Sequence, residues 1–185
     1  MTGRRLVVAE NMSTNGVVEF VDSWFDPGEQ EDDELLEVIR GHTALETALL
    51  LGRQTFEDFR GYWPLQTDDA TGFTAHLNRV QKYVVSSTLK DPEWENTTVI
   101  SGSLEDEVRA LKATGDGEIG ITGSISVVHA LMATDLVDEY RLFVYPVFTS
   151  RGRNLVPEGL SMQGLKLAET RAFPSGVTLL TYVRA

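Results

Sequence analysis

Three short stretches hold the residue types that grip an anionic ligand. They are Gly52-Arg53-Gln54-Thr55, Ser86-Ser87-Thr88 and Thr122-Gly123-Ser124-Ile125-Ser126. Each closes an apolar run: Ala48 to Leu51, Lys82 to Ser86 and Ile119 to Ile121. A glycine at the carboxyl end of a strand lets the main chain approach a ligand closely. The N–H groups that open the following helix then point outward, unpaired, at the positive end of the helix dipole. A pyrophosphate fits such a turn, and hydroxyls add small donors beside it. For any one glycine, close packing of helix on strand explains the residue equally well. Three such turns in one chain favour binding, because ligands of α/β sheets collect at the carboxyl ends of strands.

The charge balance sharpens this reading. The 185 residues carry 16 Lys and Arg against 28 Asp and Glu, a formal net charge of -12. Such a surface repels nucleic acid and anionic membranes unless a basic face is segregated, and the sequence has no basic run. A cation beside a glycine turn is therefore informative, and Arg53, Arg151 and Arg153 are so placed. No cysteine occurs, which excludes disulfides, a thiolate nucleophile and Cys-ligated metal. His42, His76 and His129 are scattered without metal-ligand spacing, so no metal is expected, and His129 reads as structural or solvent-facing. Glu57 and Asp58 read as a solvated helix face.

The elements that must position these groups follow from periodicity and breakers. Arg5 to Glu10 reads as a buried opening strand and Asn11 to Gly16 as a loop, followed by a segment carrying Trp24 and Phe25. After an acidic loop with a Pro27-Gly28 break, Asp32 or Asp33 caps a helix from Glu34 to Arg40. Ala48 to Leu51 is a short buried strand, and the helix after Gly52 has Thr55 available as its cap. Phe73 to Val80 is a helical turn, Lys82 to Ser86 and Thr97 to Ser101 are strands, and Ser103 to Thr114 is an amphipathic helix. Gly117 to Val147 forms one βαβ unit, and Leu165 to Phe173 with Gly176 to Arg184 forms a closing antiparallel pair. The succession predicts a single α/β layered domain over residues 1–185. Its polar start runs into an apolar stretch too short for a signal-peptide core or a membrane span, so a soluble cytoplasmic protein is expected.

LLLGRQTFEDFRGYWP, KYVVSSTL and ITGSISVVHALMATDLVDEYRLFVYPV, in this order, resemble the dihydrofolate-reductase-like family that includes the reductase domain of bacterial riboflavin biosynthesis. The closest likeness is to its stand-alone members, and it covers nearly the whole chain. It implies a three-layer fold, with a mostly parallel central sheet, flanking helices and an antiparallel C-terminal edge, and NADPH as cofactor. It implies that Gly52, Arg53 and Thr55 hold the pyrophosphate and adenosine phosphate. Ser86, Ser87 and Thr88 would lie near the adenine ribose, where Arg53 helps to recognise a 2′-phosphate. Thr122, Gly123, Ser124, Ile125 and Ser126 match the second phosphate turn. Val8 and Ala9 match the strand whose backbone faces the nicotinamide, with Asn15-Gly16 in the loop that covers it. Two departures stand out. Thr149-Ser150-Arg151-Gly152 keeps one glycine where many members have two, and no zinc motif precedes the domain, so the deaminase half of the bifunctional riboflavin enzyme is not expected.

The implied activity is hydride transfer from NADPH to a C=N or C=O carbon of a small heterocyclic or carbonyl substrate, as in the ribosylaminopyrimidine reductases. Trp24 or Trp63 would stack on a planar substrate, core packing being the competing role of each. Asp33 or Glu34, near the start of the first helix, is the candidate proton donor, with capping as the competing role and an ordered water as the competing source. The rival function class is a nucleotide-binding or small-ligand-binding module of the same fold that has lost efficient catalysis. The family commonly pairs its subunits, so a homodimer through the last strands is expected.

Overall fold

Alternation along the strands builds one sheet with two covered faces. The computed structural model describes residues 3–21, 24–26, 31–67, 69 and 71–185, and the Pro27-Gly28 break lies outside them. The strands are β1 (Arg5–Ser13), β2 (Glu46–Gly52), β3 (Gln81–Val85), β4 (Thr97–Ile100), β5 (Glu118–Ile121), β6 (Glu139–Tyr145), β7 (Leu165–Ala172) and β8 (Thr178–Arg184). They lie in the order β4-β3-β2-β5-β1-β6-β8-β7. Pairing is parallel from β4 through β6 and antiparallel from β6 to β8 and β8 to β7. The helices are α1 (Asp33–Thr43), α2 (Arg53–Tyr62), α3 (Phe73–Arg79), α4 (Leu104–Lys112) and α5 (Ile125–Met132).

Leu6 and Val8 of β1, Ala48 and Leu50 of β2, and Ile119 and Ile121 of β5 face one way, into a core closed by Val108 of α4 and Val127, Val128 and Leu131 of α5. Their neighbours face the other way. Leu49 and Leu51 pack with Phe56 of α2 and Leu77 of α3, and Phe143 and Tyr145 pack with Leu35 of α1. Each of these wholly buried leucines contributes about 1.5–3 kcal/mol of apolar transfer. Helices α1, α2 and α3 thus share one face. Between them runs a strip of β1 and β5 on which the small residues Ala9 and Gly120 leave the sheet low.

Several boundaries differ from the sequence-based expectation for physical reasons. β1 runs on through Asn11 to Ser13 because those residues pair with Phe143 to Tyr145, and the Asn-Gly turn follows. Asp32, not Asp33, is the cap of α1, accepting from Leu35 N at 3.1 Å, and the helix continues to Thr43. α2 begins directly after Gly52 with no side-chain cap, so Thr55 does not fill that role. The β5-α5-β6 crossover passes over β1, which pairs with both strands. β2 starts at Glu46, where a bulge at Thr47 shifts its register against β5. No described helix is long and apolar enough to cross a membrane.

Candidate functional site

The low strip between α1 and α2 is the floor of a cleft of about 850 Å³. Ala9 and Asn11 of β1, Glu46 of β2, and Arg141 and Phe143 of β6 line it from the sheet; Leu36, Ile39 and Thr43 of α1 face it from one side. Arg53, Thr55, Phe59 and Trp63 face it from the other, and Thr122 to Ser126 close its upper rim. Seen along the strands, the cleft has a turn end at their carboxyl termini and a blind end at the start of β2.

At the turn end, the strand-Gly-helix pattern has folded into open backbone donors. Gly52 N donates to Ser124 Oγ at 2.5 Å, which locks the two glycine turns together. Gly123 and Ser124 both take left-handed φ values, 73° and 62°, and turn the chain sharply into α5. A Cβ at position 123 would stand 3.2 Å from Thr55 Cγ2, so the close approach of the two turns requires glycine there. Neither α2 nor α5 has a side-chain cap, in contrast to α1, so no side chain occupies their opening N–H groups at the positive ends of both dipoles, although Val127 N of α5 turns back to the Ser124 carbonyl. Arg53 sits at the head of α2, bonded to Glu57 at 2.7 Å and about half exposed. Beneath the turn, the buried carboxyl of Glu10 accepts from Gly123 N at 3.1 Å. Burial pushes that carboxyl up to about 8, only partly offset by the bond from Gly123, so it keeps its proton near neutral pH.

The other candidates are placed as follows. Ser86, Ser87 and Thr88 follow β3, the strand beside β2, outside the residues that line the cleft; Ser86 Oγ there accepts from Thr88 N and Leu89 N. Val8 turns its side chain into the opposite core. Trp63 lines the cleft against Phe73, their ring centroids 4.9 Å apart. Trp24 instead packs with Phe20 and Tyr145 and borders a separate depression of about 750 Å³. Asp33 and Glu34 open onto that depression too, Glu34 held by Arg171 at 3.0 Å. What α1 presents to the cleft is the stripe Leu36, Ile39 and Thr43, with His42 beside it. Arg153 lines the cleft and bonds Glu19 at 2.8 Å. His129 ties α5 to the Asn154 carbonyl.

The blind end was not anticipated. There the guanidinium of Arg141 lies buried between two carboxylates, bonding Glu118 twice at 2.9 Å and Glu139 at 2.6 Å; Arg5 bonds the same two carboxylates from the other side. Glu46 reaches His76 Nε2 at 2.8 Å. His42 stays neutral, since burial, helped by the nearby Arg141 cation, brings it down to about 4. Its Nδ1 is buried without a hydrogen-bond partner among the described residues. A charged residue inside an apolar strand, as in Tyr140-Arg141-Leu142 or Glu46-Thr47-Ala48, was the available signal. Among the described residues no cluster of His, Asp and Glu is arranged to hold a metal ion.

Comparison with known proteins places this architecture. Residues 21–179 match the family described as RibD C-terminal domain. The chain belongs to the RibD C-terminal domain family. YyaP of Bacillus subtilis (strain 168) is 31% identical over 137 residues, 72% of each chain. Among solved structures, a putative riboflavin biosynthesis protein from Shewanella sp. PV-4 superposes with a TM-score of 0.73 at 19% identity, covering 98% of this chain and 99% of the other. A pyrimidine reductase-like protein from Corynebacterium diphtheriae gives 0.69 at 16% identity, with 98% and 92% covered. Dihydrofolate reductase from Enterococcus faecalis, solved with NADP(H), gives 0.65 at 18% identity, with 97% and 96% covered. The RibD C-terminal domain chain therefore has the dihydrofolate-reductase-like fold: a mostly parallel sheet, flanking helices and an antiparallel edge.

Proposed function

We propose that this RibD C-terminal domain protein is an NADPH-dependent reductase acting on a small heterocyclic or carbonyl compound. The observation that carries the reading is the convergence of two uncapped helix N-termini and Arg53 on the rim of one cleft with a low floor. The donor set fits a dinucleotide. The N–H groups of α2 and α5 suit a pyrophosphate, and Arg53 suits a 2′-phosphate. Ser86 to Thr88, one strand farther out at about 4.8 Å per strand, continue the same rim toward the ribose. When bound, the nicotinamide supplies the hydride. The chain then has to orient the substrate over Ala9, exclude water and supply a proton. Leu36, Ile39 and Phe143 suit a flat apolar ring. For the proton an ordered water is the source that fits, because Asp33 and Glu34 open elsewhere and the protonated carboxyl of Glu10 lies beneath the rim, on the same face of β1 as Val8.

Calorimetric titration of NADPH and NADH tests this. Micromolar NADPH binding with weaker NADH is expected, and Arg53→Ala should cost NADPH about 1.5–3 kcal/mol while leaving NADH nearly unchanged. No binding of either nucleotide would sink the reading. The rival reading, a binding module without efficient turnover, draws support from the absence of a carboxylate among the α1 residues that face the cleft. It predicts NADPH binding with no NADPH oxidation across carbonyl, pterin and ribosylaminopyrimidine substrates. We further propose that the protein is cytoplasmic and forms a homodimer.

A further inference from the structure

The blind end of the cleft holds an acceptor in excess. Two-residue periodicity would send Glu46 into the core with Ala48 and Leu50, but the bulge at Thr47 turns it to the cleft face, level with Glu118. Gly120 makes room for it, since any Cβ there would collide with the Glu46 carboxylate. That carboxylate is therefore laid flat against the floor, and the bond from its other oxygen to His76 fixes it there. Nearby, Glu118 and Glu139 are matched by Arg5 and Arg141, whereas Glu46 is paired with a histidine. His42, whose Nδ1 is buried and unpartnered among the described residues, borders the same end, its ring 6.1 Å from that of Phe143. Such a nitrogen is a hydrogen-bonding group left over at this end, and a small turn of the ring brings it to a ligand.

We infer that Glu46 and His42 form the specificity subsite of this cleft, gripping the N–H edge of a planar substrate ring. Gly120 lies two residues below Thr122 of the phosphate turn, roughly 7 Å along the strand, which is room for one ring and its substituents. A ring there would have Leu36, Ile39 and Phe143 beside it and its donor edge on the carboxylate. His76 is a positioning residue that holds Glu46 in that pose. The assignment rests on the reductase reading only in calling the ligand a substrate.

Three isosteric probes decide it: benzamidine (donor edge), benzamide (mixed) and benzoate (acceptor edge), titrated by NMR into the protein with and without NADPH. Benzamidine should bind about tenfold or more tighter than benzoate, shifting the Gly120 and Glu46 amides and the His42 imidazole. Glu46→Gln should weaken benzamidine by about tenfold with NADPH affinity unchanged. Equal affinities, shifts centred on the Glu31 to Glu34 depression, or an unaffected Glu46→Gln variant would overturn the assignment. If that variant does not fold, the ranking and shift map of the unaltered protein decide alone. Absent NADPH binding with the ranking intact would break the reductase reading and leave the subsite; NADPH binding without the ranking would break only the subsite.

Discussion

The two ends of the cleft are built from different materials. The turn end is mainly backbone: N–H groups of two helix starts, two left-handed residues and one exposed arginine. The blind end is side chain: carboxylates, guanidiniums and the His76 imidazole bonded to one another, most of them buried. A backbone site takes its geometry from the elements it joins and tolerates many neighbours. A side-chain network is all-or-none, because removing one member strands its partners in a poorly solvating interior.

The sharpest way to break this comparison is Arg141→Met. The substitution keeps the unbranched apolar stem but leaves Glu118 and Glu139 facing Arg5 alone, and breaking a buried ion pair from one side costs about 3–5 kcal/mol. Urea denaturation should show that loss. A change below about 1 kcal/mol would mean that the network relaxes like a surface one.

The same contrast explains what could be read in advance. The turns at Gly52 and Gly123 are local: strand, glycine and helix lie within a dozen residues, so periodicity and one glycine reveal them. The sheet class, the closing hairpin and the helix over Ser103 to Thr114 were legible for the same reason. Glu46 and His76 lie 30 residues apart, and Glu118 and Arg141 lie 23 apart. Nothing local in the chain says that they meet. The bulge at Thr47 hides Glu46 further, because simple alternation assigns it to the wrong face. Asp33 and Glu34 were conspicuous for the opposite reason. Acidic residues at a helix start are common whether or not a cleft lies beside them, and here the stripe turned to the cleft begins one turn later, at Leu36.

Glu10 shows where the turn end borrows the blind end's chemistry, and Glu10→Gln sharpens the boundary. Its ordinary value of 4.5 rises to about 8 in the fold, so folding holds a proton that the unfolded chain releases. The stability this group contributes is full below about 4.5 and is lost as pH rises through about 8, a difference on the order of 3 kcal/mol by pH 7. Glutamine keeps an acceptor for Gly123 N and cannot ionise. Thermal midpoints measured from pH 5 to 8 should fall in the unaltered protein and stay flatter in the variant. Parallel curves would place the carboxyl in contact with water.

The smallest effects come from two glycines, one at each end. Alanine at 123 would have to adopt a left-handed φ, which costs about 1–2 kcal/mol, and its methyl would press on Thr55 where the two turns meet. Alanine at 120 carries no such backbone strain, because its φ is not in the left-handed region; its methyl instead evicts the Glu46 carboxylate from the floor. The two variants should therefore lose similar stability while separating function. Gly123→Ala should weaken NADPH in calorimetry and spare benzamidine, and Gly120→Ala should do the reverse. If both substitutions damage both ligands alike, the cleft is one mechanical unit and the division between a backbone end and a side-chain end fails.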